Sequence, residues 1–109
     1  SGLCAVHQFC RIGCHAMIGA ASLIVQDAAP YFITSGNPSA AAAINLVGLT
    51  RRGFSEETRR VLKSAHKLLC RSGLNVSDAL AEIGKTLPDL PELAHLVEFF
   101  KTTQRGVIR

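Results

Sequence analysis

A strict period of six residues near the start of the chain constrains its fold more than any other feature. Four branched apolar residues carry the period: Val6, Ile12, Ile18 and Ile24. An amphipathic helix repeats about every 3.6 residues and a half-buried strand every two, so neither aligns these four side chains. A coil with sides of six residues does align them, because each side chain then points inward and stacks on its equivalent in the next coil.

Small residues and glycines complete this repeat. Gly13 and Gly19 each follow a branched residue, where glycine relieves the backbone at a corner. A small side chain that suits a tight inner turn stands four residues after each branched residue, at Cys10, Ala16, Ser22 and Ala28, with Cys4 one step earlier. Three sides make a coil, so about one and a half coils are expected. We predict the final coils of a hexapeptide-repeat parallel β-helix over residues 1–33, whose open end is covered by upstream coils or by another chain.

The repeat is predicted to stop at Pro30, which cannot donate to a strand ladder. Residues 34–43 are predicted to be an extended connection, and their Ala40–Ala43 run fits either close packing or the start of a helix. A small helical domain is predicted over residues 44–109. Its helices are expected at 44–51, between the N-cap Ser55 and the C′ residue Gly73, at about 76–87 and at about 91–102.

Composition excludes several classes of protein. Apolar residues make up 48% of the 109 residues, which argues against disorder. No apolar run approaches the roughly 18 residues of a membrane span, and the first residues do not resemble a signal peptide. We therefore expect no membrane insertion. The four cysteines lack Cys-x-x-Cys spacing, so we expect free thiols, no metal site and a cytoplasmic location.

Two polar pairs are candidate binding residues. His7 and Gln8 directly follow the inward Val6, so they are expected to point outward from a corner of the coil. There they either bind a polar ligand in a cleft between subunits or are solvated. Arg51 and Arg52 follow a short helix, and two adjacent guanidinium groups can clamp a phosphate. The alternative for this pair is a solvated helix end.

A basic stripe, defined as Arg59, Lys63 and Lys67, lies on one face of the second predicted helix because its members are four residues apart. With a net charge of +4, the chain can meet an anionic partner. The stripe fits an acidic protein or a solvated helix face. Nucleic acid is not expected, since no recognition helix, RNA-binding signature or aromatic platform accompanies it.

Three further histidines do not have the spacing of metal ligands. His15, His66 and His95 have no partner at the spacing of a metal site, and we interpret each as structural or solvated.

Six segments spread along the chain carry a resemblance to a known family. They are residues 5–13 (Ala-Val-His-Gln-Phe-Cys-Arg-Ile-Gly), Gly36-Asn37, Ile44-Asn45-Leu46, residues 48–55 (Gly-Leu-Thr-Arg-Arg-Gly-Phe-Ser), residues 67–73 and the closing Arg-Gly-Val-Ile-Arg. Together they resemble the acyl carrier protein–UDP-N-acetylglucosamine O-acyltransferases, which take the first step of lipid A synthesis. The resemblance covers essentially the whole chain, but only the C-terminal portion of the family's chain.

The resemblance implies a left-handed parallel β-helix, a homotrimer with active sites between subunits, and transfer of a 3-hydroxyacyl group from acyl carrier protein to the 3-hydroxyl of UDP-N-acetylglucosamine. It implies no cofactor, because the acyl donor is carried on the phosphopantetheine of the carrier protein. The family's general base is a histidine on an earlier coil. No histidine here matches it, so no catalytic residue is assigned and the 109 residues alone are expected to be inactive.

The resemblance also implies substrate contacts. His7 and Gln8 match a pair that lines the cleft, with Gln8 near the sugar. Asn45 and Arg51 match contacts to the nucleotide, and Arg52 matches a neighbouring contact on the phosphate side.

Three departures from the family bear on specificity. Ala20 stands at the position that limits acyl-chain length in the family. Glycine there leaves a longer channel and a bulky residue shortens it. Alanine has one methyl group more than glycine, so a moderately long acyl chain is expected. Pro38 replaces a frequent histidine, which removes another group from the end of the channel. Val47 replaces a residue that is often acidic, which removes one polar nucleotide contact.

The basic stripe is expected to dock acyl carrier protein.

Two alternatives stay open at this point. One is a non-catalytic module for trimerisation or carrier-protein binding, built from the same coils. The other is a hexapeptide acyltransferase for a different nucleotide amino sugar. Whether the acceptor group is a hydroxyl or an amino group also stays open.

Overall fold

The computed structural model describes residues 5, 6 and 8–109. Within them, short strands come first and helices follow. The strands are β1 (Ala5–Val6), β2 (Met17–Ile18), β3 (Leu23–Ile24), β4 (Phe32–Gly36) and β5 (Ser39–Ile44). The helices are α1 (Leu46–Arg51), α2 (Glu56–His66), α3 (Val76–Thr86) and α4 (Pro91–Thr102), and a π-helical turn (Lys67–Arg71) continues α2. The predictions for Cys4 and His7 lie outside the described residues.

The pairing of β1 with β3 has the spacing that the repeat predicts. The two strands are parallel, and Val6 is opposite Ile24. The partners are 18 residues apart, the length of three sides of six residues. The interior positions are open at one end, because Val6 and Ile12 are 46% and 44% exposed whereas Ile24 is fully buried.

The next coil is shorter by two residues. Ile12 pairs with Ala28, and Ile18 of β2 pairs with Thr34 of β4, so both pairs are 16 residues apart. The predicted stop at Pro30 therefore needs correction. The six-residue spacing ends after Ile24, but parallel pairing continues into β4.

The segment predicted as an extended connection is part of a β-hairpin. β4 and β5 pair in antiparallel fashion, with a register shift between Ile33 and Thr34. The Ala40–Ala43 run is therefore strand. The first helix begins at Leu46 rather than at residue 44, because Ile44 still pairs with Phe32.

The later helices lie where the sequence predicts them. The Ser55 hydroxyl accepts a hydrogen bond from the Thr58 N–H (3.1 Å) and caps α2. Gly73, beyond the π-helical turn, has φ +80°. α3 ends at Thr86, one residue before the predicted end, and α4 spans Pro91–Thr102. No helix in the described part of the chain is long and apolar enough to cross a membrane.

One core joins the helices to the hairpin. Its fully buried large side chains come from β4 and from all four α-helices as well as the π-helical turn: Phe32, Leu49, Leu62, Leu69, Ile83 and Leu96. The C-terminal residues return to the coil, where Val107 pairs with Asp27 and the Ile108 N–H donates to the Asp27 carbonyl (2.9 Å). Coil and helices are thus held together by the hairpin and by the tail.

Candidate functional site

Gln8 lies in an exposed turn directly after the β1 region. This is the corner position that the repeat predicts, and the side chain is open to solvent. Its predicted partner His7 is outside the described residues, so the pair stays a prediction.

Arg51 and Arg52 lie at the end of α1, and both are exposed. Gly53 follows with φ +81° and turns the chain toward α2, while the Phe54 N–H donates to the Leu49 carbonyl (3.1 Å). Neither guanidinium group has a hydrogen bond or ion pair with the residues that the structure describes. The pair is therefore available to an anionic ligand.

The side chain of Asn45 is already engaged within the chain. Its Oδ1 accepts from the Gly48 N–H (3.2 Å), which caps α1, and its Nδ2 donates to the carbonyl of His15 (3.0 Å). Gly48 permits this approach, because a Cβ there would overlap the Asn45 amide. Asn45 thus caps the N-terminal end of α1 and Arg51 lies at its C-terminal end, and the bonds of the Asn45 side chain hold the start of the helix.

His15 is a residue that the sequence argument left without a function. It occupies a corner of the coil with φ +57°, six residues before Ala21 with φ +58°. Its ring centroid lies 5.0 Å from that of Phe54 and 6.0 Å from that of Tyr31. The sequence carries no signal for this corner, because neither His15 nor Ala21 is the glycine that usually marks a left-handed residue.

An exposed cysteine borders this aromatic group. The Cys14 carbonyl accepts from the Tyr31 N–H (3.0 Å). Burial raises the pKa of Tyr31, and the interaction with the Cys14 side chain raises it further. Tyr31 therefore stays neutral at physiological pH and serves as packing.

The basic stripe divides into two parts. Arg59 is half-buried, and its guanidinium donates to Thr50 Oγ1 (2.9 Å) and to the Ser55 carbonyl (3.4 Å). Arg59 therefore connects α2 to α1. Lys63 and Lys67 are exposed.

Lys63 and Lys67 border what we call the basic groove, a cavity of about 470 Å³ between β5 and the helix formed by α2 and the π-helical turn. It is lined by Ala42, Ala43, Ile44, Lys63, His66, Lys67, Leu68, Arg71 and Ser72. Its floor is apolar and its rim is cationic. Arg71 adds a third charge there, and its guanidinium donates to the Ala42 carbonyl (2.9 Å).

His66 is structural rather than solvated, which is one of the two interpretations that the sequence allows. It is 5% exposed, its Nε2 lies 2.8 Å from the Ala41 carbonyl, and its ring meets the Phe32 ring edge to face at 4.9 Å. A carbonyl can only accept, so Nε2 carries the proton. Burial lowers the pKa of His66 and nearby Arg71 lowers it further, although the bond to Ala41 opposes both effects.

The ruler position Ala20 lies in an exposed turn after β2, and Pro38 lies in the exposed turn of the β4–β5 hairpin. Hydrogen bonds join the segments that flank these turns. Ser22 Oγ accepts from the Gly36 N–H (3.1 Å), and Ser39 Oγ donates to the Leu23 carbonyl (2.8 Å). The two predicted end-of-channel positions therefore belong to neighbouring segments.

The described residues contain no group of three or more histidine, cysteine or acidic side chains that could hold a metal ion.

Comparison with known proteins gives one consistent match. Residues 27–108 match the family described as UDP-N-acetylglucosamine O-acyltransferase, domain 2. The chain is 39% identical to an acyl-[acyl-carrier-protein]–UDP-N-acetylglucosamine O-acyltransferase of Pseudomonas syringae over 109 residues, which cover 100% of this chain and 42% of that protein. It is 46% identical to the Burkholderia orbicola protein of the same name over 114 residues, which cover 99% of this chain and 43% of that protein.

Solved structures agree with this match. A UDP-N-acetylglucosamine acyltransferase from Bacteroides fragilis superposes with a TM-score of 0.94 at 40% identity, over 97% of this chain and 42% of that chain. A UDP-N-acetylglucosamine O-acyltransferase from Moraxella catarrhalis gives a TM-score of 0.89 at 42% identity, over 97% of this chain and 41% of that chain. The chain therefore spans less than half the length of these proteins.

Proposed function

Because the chain belongs to the UDP-N-acetylglucosamine O-acyltransferase family, we propose that it forms the C-terminal part of an enzyme that moves a 3-hydroxyacyl chain from acyl carrier protein to the 3-hydroxyl of UDP-N-acetylglucosamine, the first step of lipid A synthesis. The observation that carries the proposal is the TM-score of 0.94 to an acyltransferase of this kind over 97% of the chain. The matching names of the curated relatives support it.

In this proposal the coils continue a left-handed β-helix, which departs from the usual right-handed crossover, and three copies form a homotrimer. The exposure of Val6 and Ile12 fits an interior that upstream coils cover. The outer surface of the described coils also carries exposed apolar side chains, at Phe9, Met17, Leu23 and Val25. Apolar surface of this extent fits contact with a neighbouring subunit.

Within the active site, Arg51 and Arg52 clamp the diphosphate of the nucleotide sugar, and Gln8 with His7 contacts the sugar. The free guanidinium groups support the first assignment, since each offers donors in a fork that matches phosphate oxygens. Asn45 stays a candidate nucleotide contact, although its bonds to Gly48 and His15 favour a positioning role.

The chemistry requires a base that this chain does not supply. The sugar 3-hydroxyl oxygen attacks the thioester carbonyl, the base takes the hydroxyl proton, and the phosphopantetheine sulfur leaves. The base is a histidine of an upstream coil, so the 109 residues alone are inactive. They bind and orient substrates without a cofactor, and the Ala20 turn limits the acyl chain to moderate length.

The docking site for acyl carrier protein is the basic groove, with Lys63 and Lys67 as its contacts. A cationic rim over an apolar floor suits an acidic amphipathic surface. Arg59 is assigned to docking as well, although its bonds to Thr50 and Ser55 leave it less free than the two lysines. In this proposal the enzyme is cytoplasmic and is not inserted into a membrane.

The decisive experiment assays the full-length protein with 3-hydroxyacyl carrier protein and a panel of UDP-amino sugars. Transfer to the 3-hydroxyl of UDP-N-acetylglucosamine supports the proposal. Exclusive transfer to a 3-amino sugar supports the acyltransferase with a different acceptor. No transfer to any sugar, with trimerisation intact, supports the non-catalytic module.

A further inference from the structure

The position of Arg51 depends on a helix that cannot hold itself in place. α1 has six residues, far fewer than the roughly 12–15 that an isolated helix needs for marginal stability. Its orientation is therefore imposed by contacts with the rest of the chain.

One residue of the coil contacts both ends of this helix. At the N-terminal end, the His15 carbonyl accepts from Asn45 Nδ2 (3.0 Å), the residue that caps α1. At the C-terminal end, the His15 ring packs edge to face against Phe54 (5.0 Å, 76°), three residues after Arg51. His15 therefore contacts one residue before α1, Asn45, and one residue after it, Phe54.

The backbone of His15 has an unusual conformation at this corner. Its φ of +57° lies in the left-handed region, which residues with a Cβ rarely adopt. The ring also stacks on Tyr31 (6.0 Å, 12°), and the Tyr31 carbonyl accepts from the Asn45 N–H (2.7 Å). Ring packing thus holds the corner whose carbonyl meets the cap of α1.

We propose that His15 is a positioning residue for nucleotide binding. It holds α1 against the coil at both ends, so that Arg51 keeps a constant position relative to Gln8 on the same coil. His15 acts through Asn45 and Phe54 and does not touch the substrate. The inference rests on the proposed binding of the nucleotide sugar by Arg51.

The test uses the full-length protein and separates the ring from the backbone. In His15→Asn the side chain tolerates the left-handed backbone but has no aromatic ring. In His15→Phe the ring is kept. The matched control is His95→Asn, because His95 is also exposed and also packs against Tyr31 (6.1 Å) but lies on α4.

We expect His15→Asn to raise the KM for UDP-N-acetylglucosamine about five- to tenfold, which is the scale of one lost aromatic contact, because the backbone carbonyl that meets Asn45 is kept. The kcat, the KM for acyl carrier protein and the melting temperature should stay close to wild type, because the His15 side chain is exposed and outside the core. His15→Phe keeps the ring but fits the left-handed backbone less well, so it should raise the nucleotide KM less than His15→Asn does. His95→Asn should leave it unchanged.

An unchanged nucleotide KM in His15→Asn would overturn the inference. So would a parallel loss of kcat, both KM values and melting temperature, since that pattern indicates a general structural role. If the wild-type protein neither transfers acyl chains nor binds the nucleotide sugar, the proposed function fails first. If the wild type is active but Arg51→Ala binds the nucleotide normally, the proposed function stands. The assignment of Arg51 to nucleotide binding then fails, and the inference about His15 fails with it.

Discussion

Asp27 contacts two parts of the chain that are distant in sequence, the coil at Arg11 and the C-terminal segment. Its carboxylate accepts from the Arg11 N–H (2.7 Å) and from the Thr103 hydroxyl (2.6 Å), and its carbonyl accepts from the Ile108 N–H (2.9 Å). Burial by itself raises the pKa of Asp27, but the hydrogen bonds from Thr103 and Arg11 outweigh it and hold the pKa below its usual value. One buried carboxylate therefore ties the last coil to the C-terminal tail.

Asp27→Asn should lower the free energy of unfolding of the full-length protein by about 2 kcal/mol at pH 7, because hydrogen bonds to a charged group are lost. The contribution of the carboxylate is complete above the unfolded-state pKa of 3.8 and disappears as the pH falls through the lower folded-state pKa. Urea unfolding of the two proteins should thus differ at pH 7 and converge in strong acid. The exposed Asp89→Asn is the control, and an equal effect there would contradict the role of Asp27.

At the scale of elements, two helical glycines illustrate how packing overrides propensity. Gly48 in α1 faces the Asn45 amide, which a Cβ would overlap, whereas a Cβ on Gly84 in α3 would have no atom within 4 Å. Alanine is the better helix former at both positions. Space alone decides the sign of the substitution.

Gly84→Ala should therefore stabilise the protein by about 0.5–1 kcal/mol. Gly48→Ala should destabilise it by roughly 1 kcal/mol, because the Asn45 cap is displaced. Thermal unfolding of both variants measures the difference. Stabilisation by Gly48→Ala would show that the cap does not hold α1.

The basic groove predicts a charge effect that belongs to α2 and its π-helical extension. Lys63→Glu combined with Lys67→Glu should raise the KM for acyl carrier protein about tenfold at low salt, and the effect should shrink as ionic strength rises. Lys85→Glu on α3 is the matched control, since Lys85 is also exposed but lies outside the basic groove. Carrier KM values that do not respond to the double reversal at low salt would exclude docking at this groove.

At the scale of the whole molecule, His66 connects the helices to the hairpin that continues the coil. Burial holds the folded-state pKa of His66 below the ordinary histidine value of 6.5. The neutral imidazole therefore stabilises the fold fully above that value, and the stabilisation is lost as the pH falls below it.

The wild-type full-length protein should lose stability between pH 7.5 and pH 5.5, as measured by urea unfolding. His66→Gln should reduce this dependence, because glutamine can donate to the Ala41 carbonyl without titrating. His95→Gln should keep it. A pH dependence that survives in His66→Gln would assign it to another group.

The sequence predicted the parts of this molecule that local patterns determine. The six-residue period anticipated the parallel pairing of Val6 with Ile24, and capping and apolar spacing located α2, α3 and α4 within a residue or so. The shortened coil after Ile24 and the pairing of the hairpin could not be predicted from the sequence. They depend on contacts with Arg11, with β2 and with the tail, which no local pattern reveals.

The candidate site was predictable to the same degree. Arg51 and Gln8 are exposed as expected, while the engagement of Asn45, Arg59 and His15 follows from contacts between distant segments. Such contacts arise only once the coil, α1 and α2 come together. The resemblance named the candidate residues, and the structure shows which of them already have partners within the described part of the chain.

The most direct measurement is a crystal structure of the full-length protein with UDP-N-acetylglucosamine. The account predicts the diphosphate within hydrogen-bonding distance of Arg51, the sugar beside Gln8, and α1 still bonded through Asn45 to the His15 carbonyl. A nucleotide sugar bound away from α1, with Arg51 still solvated, would contradict the central claim that this chain supplies the nucleotide-binding part of the acyltransferase.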